Sequence, residues 1–196
     1  MSNKLYFKPW VGENYNASSP KIMVVGESHY NDAPVSESFT IEVVDEYVSG
    51  RWNHRFFTGI SRVISGLSAW ETHSKRQQIW QDLTFYNYIQ EIVAEESRKG
   101  YSPAKVATSN AAVQEAIELL KPDYIIVFSK RLWLDMEQGE EKAVSGTNET
   151  IREYNHSRGK SIAIQSTHPS GRGFKADVEY QQVHNLIGSL DGSGVK

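Results

Sequence analysis

Short apolar runs alternate with longer amphipathic stretches along this chain. Ile22 to Val25 is apolar, β-branched at three of four positions, and stops at Gly26, the pattern of a buried parallel strand entering a turn. Phe56 to Leu67 places Phe56, Ile60, Val63, Ile64 and Leu67 at helical spacing. Leu83 to Ile89 (LTFYNYI) is aromatic-rich and predicts a second strand with its exit. Val106, Val113, Ala116, Ile117 and Leu120 share one side of a helix over 104–120, which Lys121-Pro122-Asp123 ends. Tyr124 to Phe128 and Ser161 to Gln165 predict two more strands, and Ala176 to Leu190 a closing helix.

Four strands separated by helical segments imply an α/β fold, a three-layer α/β/α domain with a four-stranded, mostly parallel central sheet. The whole chain, 1–196, reads as one domain, with residues 1–20 as an N-terminal segment and 191–196 as a frayed tail. In such sheets the ligand lies beyond the carboxyl ends of the strands. The residues following the four strands are therefore expected to line one cleft. They are Gly26-Glu27-Ser28-His29-Tyr30, Asn87, Ser129-Lys130-Arg131, and Ser166-Thr167-His168-Pro169-Ser170.

Composition narrows the chemistry. The chain has no cysteine, which excludes disulfides, thiolate nucleophiles and cysteine-ligated zinc or iron–sulfur sites. We find no convincing metal-ligand spacing and expect no metal and no cofactor. The N-terminus lacks an apolar leader and no stretch approaches a membrane span, so a cytoplasmic protein with no membrane partner is the default expectation, and a monomer likewise. The net charge of −3 means that any binding to DNA must use a local basic face rather than overall charge.

The segments GESHY (Gly26 to Tyr30), FYN (ending at Asn87), LKPDYIIVF and HPS (His168 to Ser170) resemble, in order and strand context, the motifs of the uracil-DNA glycosylase superfamily. The resemblance spans roughly residues 20 to 185. It implies a monofunctional DNA glycosylase that cuts the N-glycosidic bond of a flipped-out pyrimidine, leaving an abasic site. The base would be uracil or a modified pyrimidine such as a hypermodified phage cytosine, in DNA repair or antiviral defence.

By this resemblance His168 donates a hydrogen bond to the leaving base, and Asn87 reads its Watson–Crick edge. Turned over, the same amide would read cytosine, so Asn87 argues for a pyrimidine without deciding which. Gly26 and the amides after it approach base or phosphate. Tyr30 stands where uracil-specific members block 5-substituents, and Phe39 is a candidate stacking ring. Arg172 or Phe174 is positioned to fill the gap left by the flipped base, beside Ser170. Lys130 and Arg131 are candidate phosphate contacts. The chain departs from the pattern twice. Ser28 replaces the water-orienting Asp, which shifts that role to Glu27, and His29 replaces Pro, as a candidate for positioning water or contacting phosphate.

Each residue also has an ordinary structural reading. Glu27 can face a helix dipole, His29 can cap a turn, Asn87 can satisfy local backbone, and Ser170 can cap a helix. The aromatics at Phe39, Trp52, Phe56 and Phe57 can be core, and the paired cations solvated. Two other functions fit the same residues. One is a non-catalytic module binding a modified base in DNA. The other is an SGNH-type esterase using Ser28 and His168, although Gln165 stands where that family places an Asp.

Overall fold

The computed structural model describes residues 5–93, 101–136, 139–145 and 147–192. Its centre is the parallel sheet expected from sequence. The four strands are β2 (Ile22–Gly26), β3 (Leu83–Asn87), β4 (Tyr124–Phe128) and β7 (Gly159–Ser166), running side by side in the order β3-β2-β4-β7. Among the described residues the sheet is nevertheless seven-stranded and mixed, which corrects the expected count of four. Strand β1 (Trp10–Val11) pairs antiparallel with β3. Strands β5 (Glu140–Ala143) and β6 (Thr150–His156) extend the far edge, also antiparallel.

Strand β6 escapes a hydropathy reading because two of its four buried residues, Arg152 and Glu153, are charged. Arg152 is 2 % exposed, with its guanidinium 4.2 Å from the centre of the Trp133 ring. It also donates to the Trp133 carbonyl and pairs with Glu141. Neighbouring Glu153 is bridged by Lys142 at 2.8 Å and Lys160 at 2.9 Å. Such pairing lets charges occupy interior positions that would otherwise be apolar.

Alternate side chains of the parallel strands enter two separate cores, as period-2 geometry requires. Met23, Val25, Tyr86, Ile125 and Val127 pack beneath α4 (Pro103–Leu120) and α5 (Lys130–Asp135). Val24, Phe85, Ile126, Phe128 and Ile164 pack beneath α1 (Phe39–Val48), α2 (Arg55–Ser65), α3 (Ala69–Trp80) and α6 (Ala176–Gly192). Helix α4 starts at Ser102, whose hydroxyl accepts from the Lys105 amide, with Pro103 at the first helical position. Helix α3 buries only Thr72 and Trp80, so hydrophobic spacing does not reveal it, although Ser68 and Glu71 form a capping box. Helix α6 runs to Gly192, and the Tyr124 hydroxyl donates to Asp191 at 2.5 Å. The frayed tail therefore does not begin at 191. Residues 193–196 of that expected tail, and 1–4 of the N-terminal segment, lie outside the described residues. Among the described residues no helix is long and apolar enough to cross a membrane.

Candidate active site

The carboxyl ends of the four parallel strands open into a cleft of about 900 Å³. Glu27, Ser28, His29, Tyr30, Phe39, Asn87, His168 and Ser170 all line it, so residues far apart in sequence converge as the strand order requires. The hydrogen-bond ladder between β2 and β3 continues past both strands and fixes the loop after Gly26. The Tyr88 amide donates to the Gly26 carbonyl at 3.0 Å, Ile89 to Glu27 at 2.9 Å and Val93 to His29 at 3.1 Å. Gly26 is glycine for a steric reason. A Cβ there would lie 2.5 Å from Asn87 Oδ1 and 3.0 Å from the tip of Phe85.

Glu27 is partly buried, and its carboxylate accepts from the Ser129 hydroxyl at the end of β4. Ser129 also caps α5, accepting from the Leu132 amide at 3.0 Å. One Glu27 oxygen is thus held from the α5 side of the cleft.

His168 is held by its own turn and by α2. The Ser170 amide donates to Nδ1 at 3.1 Å, which in the neutral ring puts the proton on Nε2. Burial pushes the His168 pKa below its ordinary value, and the nearby Glu27 carboxylate opposes that shift. The ring packs 4.9 Å from Phe56, and the adjacent Pro169 sits on Gly59, one turn along the same helix. From α6, Glu179 accepts from the Ser166 hydroxyl at 2.8 Å and the Thr167 amide at 2.9 Å, bracing the end of β7.

His29 is 5 % exposed, and burial lowers its pKa to about 4, so it is neutral at physiological pH. Its ring lies between Phe7 at 4.9 Å and Phe39 at 4.8 Å. Nε2 is 2.7 Å from the Thr40 hydroxyl. The Asn87 amide nitrogen lies 3.2 Å from Nδ1 and 3.1 Å from Nε2. The backbone of Asn87 is held as well, since Gln90 Nε2 donates to its carbonyl at 2.8 Å.

Other expected site residues stand elsewhere. Phe174 packs against the helical core and lies near Gly59 of α2, so it is not a free wedge, whereas Arg172 is exposed. Lys130 and Arg131 are exposed but do not line the cleft. Arg131 donates to the Tyr101 carbonyl at 3.1 Å and lies 3.9 Å from that ring. The cleft instead carries Arg51, Trp52, His54 and Phe56, of which Trp52 and Phe56 have only a core reading in the sequence. His54 stacks 4.4 Å from Trp52, and its pKa is lowered by burial and by His168. Nothing in the hydropathy pattern marks Arg51, Trp52 and His54, because they lie in the irregular link between α1 and α2.

Among the described residues the Ser28 hydroxyl is buried without a hydrogen-bond partner, and no carboxylate is bonded to His168 Nδ1. An esterase triad needs both contacts. The sequence matches no known family model, and no curated protein is detectably similar to it.

Proposed function

We propose that this chain is a DNA glycosylase that hydrolyses the N-glycosidic bond of a flipped-out pyrimidine. The observation that carries the reading is the grouping of Glu27, Asn87 and His168 at the carboxyl ends of the parallel strands β2, β3 and β7, inside an aromatic-walled cleft. Phe39, Phe56, Phe85 and Trp52 provide faces against which a base can stack after leaving the helix.

In the proposed reaction the C1′–N bond breaks first, giving an oxocarbenium-like sugar and a base carrying negative charge. His168 Nε2–H points its donor at the developing oxyanion. A single donor of this type is worth roughly 10²–10³ in rate. Glu27, with one oxygen on Ser129, uses the other to orient water for attack on C1′ and takes its proton. The water oxygen becomes the sugar hydroxyl, and the proton passes to the departed base or to solvent. Asn87 supplies both a donor and an acceptor for the edge of a pyrimidine. Uracil and modified pyrimidines are the candidate bases.

The test is a substrate panel. Purified protein is incubated with oligonucleotides carrying uracil, hydroxymethyluracil or hydroxymethylcytosine, and with DNA containing glucosylated cytosine. Alkali-labile sites together with released free base support the reading. Tight DNA binding without abasic product selects the binding module instead. Labelling of Ser28 by a fluorophosphonate would revive the esterase.

A further inference from the structure

We infer that Arg51 and Trp52 form a subsite for the nucleotide next to the flipped one in single-stranded DNA, the Trp52 ring stacking on its base and Arg51 meeting its phosphate. This rests on the glycosylase reading above.

Trp52 is the exposed ring of the cleft. It is 40 % exposed, whereas Phe85 is buried and Phe39 and Phe56 are half-buried. The deeper rings suit a base drawn into the cleft, and Trp52 suits one that stays at the mouth. A single exposed aromatic is ordinary on a protein surface. Two further features set this one apart: a fixed support and an unpaired cation beside it.

The link that carries Trp52 is held at several points. The Trp52 amide donates to the Glu46 carbonyl at 3.0 Å. From α3, Arg76 donates to the Asn53 side chain at 2.9 Å and to the Tyr47 carbonyl at 3.3 Å. Gly50, at a φ of +83°, makes the turn that leads into Arg51. The indole rests against the His54 ring at 4.4 Å, and His54 in turn lies 5.6 Å from Phe57. A ring supported in this way loses little conformational freedom when a base covers its open side. His54 is uncharged at neutral pH, since burial and then His168 lower its pKa, so the support does not compete with Arg51 for an anion.

Arg51 is exposed, lines the same cleft and has no hydrogen bond or ion pair among the described residues. Glu46 stands on the same rim, so the two charges offset one another and charge alone does not hold a strand there. Stacking is then the main attraction, and Arg51 sets the place of one phosphate. The preference for a single strand follows. In a duplex the neighbouring base is paired and stacked, and freeing it costs energy. In a single strand its face is open to Trp52. One base stacked on an aromatic side chain is worth roughly 5- to 150-fold in affinity.

The experiment measures equilibrium binding by fluorescence anisotropy for wild type, Trp52→Ala and Trp52→Phe. The probe is a labelled single-stranded pentanucleotide with a central uracil nucleotide, made uncleavable by a 2′-fluorine that destabilises the oxocarbenium-like sugar. Two further probes replace the 5′ or the 3′ neighbour by an abasic spacer, which keeps the phosphate and removes the base. The expected result is that Trp52→Ala weakens binding to the intact probe at least fivefold, while Trp52→Phe stays within threefold of wild type. One of the two spacers should weaken wild type by the same factor and leave Trp52→Ala unchanged, which names the side of the neighbour. An Ala loss that is the same within twofold on all three probes overturns the inference, because a merely structural defect does not depend on the neighbouring base. On the duplex of the same sequence the loss should stay below twofold, and an equal loss there overturns the single-strand preference. The probes need no turnover. The expected binding pattern without excision of any base removes the glycosylase reading and leaves the subsite, whereas excision without the pattern removes the subsite and leaves the reading.

Discussion

Replacing Gly59 by alanine should damage catalysis more than folding. A Cβ at position 59 would lie 2.6 Å from Pro169 Cβ and 3.1 Å from Pro169 Cγ. Carbon atoms in contact normally sit about 3.5–4.0 Å apart, so α2 and the His168-Pro169 turn must separate by about 1 Å. His168 is the residue next to Pro169, and its ring rests on Phe56 of the same helix, so the imidazole moves with the turn. A displacement of that size at a reacting group costs on the order of 100-fold in rate, or about 2.7 kcal/mol of barrier. Overpacking costs roughly 1–3 kcal/mol of stability, and the better helix propensity of alanine returns about 1 kcal/mol. The net loss of stability is therefore about 0–2 kcal/mol. Single-turnover excision gives the first quantity and urea unfolding the second. Adding Pro169→Gly, which deletes the opposing carbons, should recover at least tenfold of the lost rate. A Gly59→Ala protein within threefold of the wild-type rate would refute the idea that this contact sets the position of His168.

Other perturbations have equally definite expectations. The His29 pKa falls from 6.5 unfolded to about 4 folded, so the unfolded chain binds the extra proton between those values. Stability is full above pH 6.5 and is lost as pH falls toward 4, by on the order of 3 kcal/mol; urea unfolding at pH 4.5 and pH 7 checks this, and a flat profile contradicts it. Because His168 must be neutral to accept from Ser170 at Nδ1, excision should fall at acid pH with a midpoint below the ordinary histidine value. A single-turnover rate that rises with acid would reverse the assigned protonation state. Arg51→Ala should weaken DNA binding and lower the salt slope by about one, because this cation lines the cleft. An unchanged slope in fluorescence anisotropy would remove Arg51 from the DNA face. Ser28→Ala should retain most of the excision rate, and a loss of more than 100-fold would make the hydroxyl chemical.

What could be read from sequence divides along physical lines. The four parallel strands were legible because both of their faces are buried and their apolar runs end at turn residues, as at Val25-Gly26. Their parallel order brings the strand ends that carry Glu27, Asn87 and His168 to one edge of the sheet. Strand β6 was not legible, since Arg152 and Glu153 are buried through partners distant in sequence. The contacts of His29 were not legible either, because Thr40 and Asn87 reach its ring from other elements of the fold. Phe174 resembled a wedge by its place after the last motif, yet its ring packs on α2, a contact no local pattern reveals.

The most direct test of hydrolysis at C1′ is mass spectrometry of the DNA strand and of the released base after incubation with the protein. The account predicts an uncut strand carrying an abasic sugar together with intact free base, with release lost in Glu27→Gln and His168→Ala. A cut strand with no free base, or free base released equally by wild type and both variants, would contradict it.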